Sequence, residues 1–255
     1  MQDSPPLLTV ITVSFRDLER LKRTVESLKE SDGRVAQIIV LPINDADSIA
    51  YLDSTLDRDP TTALSYVHDD GKGIYQAMSL GVAQVTSPYF TFWNSGDFLN
   101  SAFELSCLLD DLNQCEADWV LTNGNFNWID YPTPTIKNLR RFILQEDAGY
   151  VSHQCILFRT DYFTGREIFN LKYKVAADTD QIYRIYRKSE PTILDYPIVS
   201  VEHGKFSSMN NRRARVEVFL LVTANLDGVE RFIAIKNILE REFNQLWKRM
   251  SRFGK

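Results

Sequence analysis

Continuous apolar runs alternate with helical patterns over much of this chain. Between Leu18 and Glu30, for example, apolar residues recur every three or four positions, as on one face of a helix. The runs of strand length are rich in β-branched and aromatic residues and lie at Leu7–Phe15, Ala36–Leu41, Thr62–Val67, Tyr89–Trp93, Ala117–Thr122, Tyr150–Phe158, Thr192–Tyr196 and Ile198–Val201. Strands that are apolar throughout are typical of a parallel sheet with helices on both faces. The pattern therefore predicts an α/β fold with a mixed, mostly parallel central sheet flanked by helices.

Polar residues follow the strand Tyr89–Trp93 at once, as Asn94-Ser95-Gly96-Asp97. In open α/β sheets ligands bind at the carboxyl ends of the strands, so Asp97 is predicted to be a site residue. A helix N-cap is its alternative role. The glycine-punctuated loop upstream leads into a helix from Ile74 to Ala83, whose spacing predicts a buried face formed by Ile74, Ala77, Met78 and Val82.

A second acidic motif, Ala177-Asp178-Thr179-Asp180, stands just before a helix that buries Ile182 and Ile185. Asp178 is therefore either a helix N-cap or a carboxylate directed into a cleft. The strand Tyr150–Phe158 is expected to expose His153 and Gln154 near its start.

The last segment, Arg212–Lys255, is long, helical and amphipathic, with basic residues at both ends. Its helical spacing picks out Val216, Phe219, Leu220, Phe232, Ile235, Ile238 and Leu239. A basic amphipathic segment can lie on an anionic leaflet, pack against the rest of the chain or bind a second copy. The predicted division is a catalytic domain over residues 1–208 and a helical extension over 209–255, with a homo-oligomer as one open outcome.

Composition narrows the class of protein. A chain of 255 residues with 44% hydrophobic and 25% charged residues is ordinary for a globular protein, and its net charge of −5 argues against nucleic acid as a partner. The three cysteines, Cys107, Cys115 and Cys155, show no CxxC spacing, which favours a reduced compartment. The sequence shows no leader pattern and no apolar run of spanning length, so we expect a cytoplasmic protein, with a peripheral location at the inner face of the membrane as the alternative.

Two motifs carry a resemblance to a known family: Gly73-Ile74-Tyr75-Gln76-Ala77-Met78 and the strand end Asn94-Ser95-Gly96-Asp97. Together they resemble the family-two glycosyltransferases of the GT-A fold, especially the bacterial polysaccharide branch. The resemblance implies inverting transfer of a sugar from a nucleotide-sugar donor to a hydroxyl of a saccharide or lipid-linked acceptor. It also implies Mg²⁺ or Mn²⁺ at the donor diphosphate, because hard oxygen ligands suit these cations.

The resemblance assigns roles residue by residue. Asp178 is the expected general base, and Asp97 with His203 the expected metal ligands. The residues expected at the donor nucleotide are Ser14, Arg16, Asp47, Asp69, Lys72, Tyr75 and Asn94. Those expected at the acceptor or a phosphate are His153, Gln154 and Trp128. Each has a simpler alternative, such as a loop cation for Arg16 and Lys72, a turn or cap for Asp47, and a core residue for Trp128.

Two positions depart from the family pattern. Pro42 stands where family members carry an acid near the nucleobase, although Asn44 or Asp45 can substitute through a shifted loop. Gly71 stands where an aspartate is usual. These departures motivate a second hypothesis, in which the protein is a catalytically silent homologue that binds a nucleotide or a sugar.

Overall fold

The computed structural model describes residues 5–29, 31, 33–59, 63–100, 104–127, 133–146, 151–201 and 212–253. Its strands are β1 (Leu8–Val13), β2 (Val35–Pro42), β3 (Leu64–Asp69), β4 (Tyr89–Asn94), β5 (Phe98–Leu99), β6 (Trp119–Phe126), β7 (Ile156–Arg159) and β8 (Thr192–Val201). Its helices are α1 (Leu18–Ser27), α2 (Ala46–Arg58), α3 (Ile74–Val82), α4 (Leu105–Gln114), α5 (Ile136–Ile143), α6 (Ala177–Tyr186), α7 (Arg212–Asn225) and α8 (Gly228–Phe253).

All eight described strands form one sheet in the order β3-β2-β1-β4-β7-β6-β8-β5. The first four in this order are parallel, β7 runs antiparallel to both of its neighbours, and β6 and β8 are parallel. The short β5 closes the edge antiparallel to β8. The expected mixed, mostly parallel sheet is confirmed.

Helices cover both faces of the sheet. Ile11, Val40 and Phe92 point to one face, where they pack with residues of α3, α5, α6, α7 and α8. Val10 and Trp93 point to the other face and pack with α4, while Ile39 and Leu41 pack there with α1 and α2. Because β1, β2 and β4 are buried on both faces, their sequences are mostly apolar and do not alternate between apolar and polar residues.

Three local expectations are wrong. The run Tyr150–Phe158 contributes only Ile156, Leu157 and Phe158 to the strand β7, and His153–Cys155 form a 3-10 turn in front of it. The two strands expected at 192–201 form the single strand β8. Its pairing with β6 is irregular around Pro197. Ile74 is exposed, because it is the first residue of α3 and lies at the rim, and Tyr75 is buried instead.

The C-terminal helices belong to the same core as the sheet. Val222 from α7, Leu226 just after it, and Ala234 and Ile238 from α8 are buried together with α3 and α6 residues. Packing against the rest of the chain, one of the three alternatives for this segment, is therefore realised. Among the described helices, none combines the length and apolar character needed to cross a membrane.

Helix α3 approaches the sheet through Gly81. A Cβ atom at this position would lie 2.4 Å from Ile11 Cγ2 and 3.1 Å from Val40 Cγ2. Both contacts are with side chains of the buried central strands, which have little room to move.

We therefore predict that Gly81→Val destabilises the protein by about 1–3 kcal/mol, the usual cost of overpacking a core. Urea denaturation at 25 °C measures the change. Ala83→Val is the matched control, because Ala83 is exposed just beyond α3 and its replacement is expected to change the free energy of unfolding by no more than about 0.5 kcal/mol. Equal stabilities of the two variants would contradict this packing.

Candidate functional site

The carboxyl ends of β1, β2 and β4 lie at one level. In the sheet Val13 is the partner of both Val40 and Asn94. Beyond the last paired residues, the Ser14 amide donates to the Val40 carbonyl at 2.9 Å and the Ser95 amide donates to the Val13 carbonyl at 3.3 Å. The loops that follow these strands therefore meet at one edge, where the predicted donor residues Ser14, Arg16 and Asn94 come together.

Asp45 fixes the loop after β1. Its Oδ2 accepts from the Arg16 amide at 3.0 Å, and its Oδ1 accepts from the Ser48 amide at 3.4 Å as the N-cap of α2. Arg16 adopts a φ of 50°, in the left-handed region that non-glycine residues rarely occupy. The one acid near Pro42 that is buried is thus used to hold Arg16 in place and to start α2.

Asp97 closes the turn that follows β4. Its Oδ2 accepts from the Asn94 amide at 2.7 Å and from Gln154 Nε2 at 3.3 Å, and the residue is 1% exposed. Gln154 is buried as well, so it supports Asp97 from beneath instead of facing a ligand as expected.

The described residues do not fit the predicted metal site. Asp97 is buried and its Oδ2 is bonded to the Asn94 amide and to Gln154, and Gly96 offers no ligand atom on a side chain. Within the described ranges no three His, Cys, Asp or Glu side chains are placed to hold a cation. His203, the other predicted ligand, lies outside the described residues, as does Trp128.

Two side chains, Tyr75 and His153, contact Asp178 near the start of α6. The Tyr75 hydroxyl lies 3.1 Å from Asp178 Oδ1 and 2.8 Å from the Val175 carbonyl, and His153 Nδ1 lies 3.5 Å from Asp178 Oδ2. Asp178 is the second residue of α6, and the N-cap position is Ala176. The Asp178 side chain keeps 27% of its surface exposed, so this carboxylate reaches solvent while its two partners are largely covered.

Burial sets the protonation of the two partners. It lowers the pKa of His153 below the ordinary 6.5, although the Asp178 carboxylate acts in the opposite direction. Burial also raises the pKa of the Tyr75 hydroxyl far above its usual range, and the charge of Asp178 adds to this effect. At neutral pH the cluster therefore contains a neutral imidazole and a protonated phenol, both beside the Asp178 side chain.

The remaining predicted donor residues lie apart from this cluster. Asp47 is exposed on the first turn of α2. Asp69 Oδ1 accepts from the Gly71 amide at 3.2 Å and shapes the turn before α3, while Lys72 forms an exposed ion pair with Asp70. Gly71 has a φ of 73°, a backbone conformation that suits glycine better than the usual aspartate.

The role of Glu217 on α7 was not predicted from the sequence. Its carboxylate accepts from the backbone amides of Lys174, Val175 and Ala176 at 2.8–3.0 Å and from Arg213 Nε at 2.8 Å. These amides belong to the segment that enters α6 just before Asp178. The only available signal was an acid beside the apolar positions of α7, and in the structure Glu217 is buried while Val216, Phe219 and Leu220 are exposed.

Comparison with solved structures identifies the fold class. The structure of Staphylococcus aureus TarS in complex with UDP-GlcNAc matches with a TM-score of 0.70 at 16% identity, over 93% of this chain and 72% of that chain. The mannosyltransferase PcManGT of Pyrobaculum calidifontis, in complex with GDP-Man and Mn²⁺, matches with a TM-score of 0.63 at 11% identity, over 92% of this chain and 69% of that chain. The protein has the GT-A fold, as its sequence predicts.

Curated relatives point in the same direction. An uncharacterized glycosyltransferase of Mycobacterium tuberculosis is 27% identical over 197 residues, which cover 75% of this chain and 73% of the relative. A PGL/p-HBAD biosynthesis glycosyltransferase of Mycobacterium bovis is 24% identical over 149 residues, and the match spans 56% of this chain and 55% of that protein. No family model matches the chain.

Glu217 yields a stability prediction with a defined pH dependence. Burial alone would raise the pKa of this carboxyl, but hydrogen bonds from the Lys174 amide, Arg213 and the next two amides lower it below the ordinary 4.5. We predict that Glu217→Gln lowers the free energy of unfolding by about 1.5–3 kcal/mol at pH 7, since hydrogen bonds to a charged group are lost.

Because the folded pKa is the lower one, this stabilisation is complete well above pH 4.5 and disappears as the pH falls through the folded pKa. Urea denaturation at pH 7, 5.5 and 4 measures the difference between wild type and variant. Glu116→Gln, at an exposed position, is the control. The series is extended from pH 4 to pH 3, because the folded pKa lies below the ordinary value. A difference between wild type and variant that stays constant from pH 7 to pH 3 would contradict the role of the charge.

Proposed function

We propose that this protein is a glycosyltransferase that moves a sugar from a nucleotide-sugar donor to a hydroxyl of a saccharide or lipid-linked acceptor, with inversion at the anomeric carbon. The observation that carries the proposal is the Asp178 carboxylate, which stays open to solvent while Tyr75 and His153 contact one oxygen each. Glycosyltransferase relatives and GT-A neighbours with bound nucleotide sugars support it. Surface polysaccharide or glycolipid synthesis is the corresponding setting.

The donor takes the edge where the loops after β1, β2 and β4 meet. Ser14 and Ser95 lie side by side there, with their hydroxyl oxygens 3.4 Å apart, and Arg16 is held next to them by Asp45. Hydroxyls, backbone amides and arginine are suitable partners for ribose and phosphate oxygens. In this arrangement the leaving nucleoside diphosphate lies against β1 and β4.

Asp178 acts on the acceptor from the side of α6. It takes the proton from the acceptor hydroxyl as that oxygen bonds to the anomeric carbon, and the bond from this carbon to the donor phosphate breaks with its electron pair leaving on the diphosphate. The Tyr75 hydroxyl orients Oδ1, while the buried neutral His153 adjoins Oδ2 without adding a positive charge beside the base. Tyr75 and His153 therefore position the carboxylate.

The silent homologue remains the second candidate function, because Pro42 occupies the end of β2 where the family pattern has an acid. The nearest buried acid, Asp45, is already bonded to the Arg16 and Ser48 amides. A protein of this kind would bind a nucleotide sugar without turning it over. Turnover therefore separates the two hypotheses.

A divalent cation is the component on which the sequence prediction and the described residues disagree. The P. calidifontis neighbour carries Mn²⁺, which supports a cation in this fold. In the present chain Asp97 is buried and bonded to the Asn94 amide and Gln154, so the proposed steps use no metal. Assays of transfer need Mg²⁺, Mn²⁺ and chelator in parallel.

We predict that Asp178→Asn lowers transfer by about 10²- to 10⁴-fold, the usual contribution of general-base catalysis, and leaves nucleotide affinity within twofold. The amide keeps the shape of the side chain but cannot accept the proton. Release of nucleoside diphosphate from UDP-GlcNAc and GDP-mannose, with a panel of saccharide and lipid-linked acceptors, measures turnover. NMR of the product reports the anomeric configuration.

Asp110→Asn is the matched control, because Asp110 is an exposed acid on α4. Wild-type turnover in the Asp178 variant would assign the base to another residue. Nucleotide-sugar binding by the wild-type protein without turnover in any combination would favour the silent homologue.

A further inference from the structure

Arg20 occupies the space that a side chain at residue 96 would fill. Gly96 lies in the turn after β4 with a φ of 99°, and a Cβ built on it would be 2.3 Å from Arg20 Nε and 2.8 Å from Arg20 Nη2. Arg20 stands on the first turn of α1, which follows the loop after β1. Its guanidinium group therefore lies on Gly96, at the edge where the donor loops meet.

The Arg20 guanidinium has a buried polar atom, Nε, without a hydrogen-bond partner in the described part of the chain. Asp17 caps α1 by accepting from the Arg20 backbone amide at 3.4 Å, and the Asp97 Oδ2 accepts from the Asn94 amide and Gln154. Leaving a buried donor of a charged group without an acceptor costs free energy, which an anion bound at this position would recover.

We propose that Arg20 binds the donor diphosphate and supplies the positive charge that a divalent cation was expected to bring. This inference rests on the proposed function and specifies how its donor is held. The planar guanidinium presents several N–H donors that match phosphate oxygens in pairs, and it remains charged at any physiological pH. An acidic ligand at residue 96 would collide with Arg20 and cancel its charge, so Gly96 and Arg20 form a matched pair.

Nucleotide binding in chelator tests the proposal. Titration calorimetry with UDP and GDP, in EDTA and in Mn²⁺, is expected to give dissociation constants that agree within threefold for the nucleotide that binds. Arg20→Met is expected to weaken that binding at least tenfold, and Arg20→Lys to weaken it less, because a charge without the planar fork is retained. Uridine or guanosine, which lack the diphosphate, should bind wild type and variants equally.

Lys22→Met is the matched control, since it removes one cation from the same helix where Lys22 pairs with Glu19 away from Gly96. Thermal unfolding shows whether each variant is folded, and Arg20→Lys provides the test if Arg20→Met is not. Loss of wild-type binding in EDTA, or unchanged UDP and GDP affinity in a folded Arg20 variant, would overturn this inference and leave sugar transfer intact. Absence of both binding and turnover in wild type would overturn the proposed function itself.

A separate observation concerns the outer face of α8. Val229, Phe232, Leu239, Phe243 and Trp247 are each 59–73% exposed on this helix. The opposite face buries Ala234 and Ile238 in the core. The helix is therefore apolar on both sides, and its outer stripe has no partner among the described residues.

The spacing of this stripe is that of a paired helix. Positions 229, 232, 236, 239 and 243 alternate steps of three and four residues, and the sequence continues the series with apolar residues at 246, 250 and 253. Such a repeat over more than three heptads is typical of a helix that packs along another helix. Lys236 is the only charged residue in the series.

Charge on the stripe selects the partner. Lys236 and Glu240 lie one turn apart, with their charged atoms 3.6 Å from each other, between Phe232 and Phe243. In an antiparallel pair of α8 helices related by a two-fold axis, Lys236 of each copy faces Glu240 of the other, and Phe232 faces the region of Phe243. The two charges of this pair balance within one copy, and a two-fold dimer pairs each of them again across the axis. We infer that a second copy of this chain covers the stripe.

Charge exchange tests the dimer. Sedimentation velocity of the wild-type chain is measured at protein concentrations of about 5–50 μM, which populate a weak interface, and is expected to show a dimer. Lys236→Glu and Glu240→Lys should each shift it to monomer, because like charges then face each other, and the double exchange should restore the dimer. Leu171→Glu, at an exposed apolar position elsewhere, is the control.

A wild-type chain that is still monomeric at about 50 μM, the highest protein concentration of the series, would overturn this inference. A dimer that persists in both the Lys236→Glu and the Glu240→Lys variants would overturn it as well. Co-sedimentation of the protein with vesicles of phosphatidylglycerol and phosphatidylcholine, lost on Phe243→Glu, would assign the stripe to a membrane instead.

Discussion

The site depends on the register of β1 between β2 and β4. Val13 is level with Val40 on one side and Asn94 on the other, and the amides of Ser14 and Ser95 extend the same ladder by one bond each. A shift of one residue in β1 would turn Ile11 and Val10 to the wrong faces of the sheet. The two separate cores on these faces therefore hold the register, and the register holds the loops together.

Much of this frame could be predicted, because it rests on local patterns. Parallel strands buried on both faces are recognisable as apolar runs, and the helix that carries Tyr75 and the turn that carries Asp97 follow from glycine and polar punctuation. The burial of Tyr75 where the pattern predicts Ile74 shows the limit of such patterns. Spacing defines a helical face but not where the first turn meets the core, so the pattern assigns the buried position to Ile74, whereas Tyr75 is buried and contacts Asp178.

Contacts between distant segments could not be predicted. Gln154 reaches Asp97 across 57 positions, and Glu217 accepts amides about 40 positions upstream. Neither periodicity nor propensity carries information on these pairs, because each polar group looks like a surface residue in its own segment. The 3-10 turn at His153–Cys155 belongs to the same class, since it directs Gln154 beneath Asp97 and His153 towards Asp178.

Charge in the site is divided between two sides. On the side of β1, Asp45 and Asp97 are bonded to amide donors, whereas the Arg20 guanidinium lacks a described acceptor at Nε. On the side of α6, Asp178 is the carboxylate that stays open, and Glu217 anchors the segment that presents it. The proposed sugar transfer uses this division, because the leaving diphosphate carries negative charge while the acceptor must lose a proton. In that proposal the acids on the first side are held by backbone donors, and the acid left open on the second side is the one that accepts the proton.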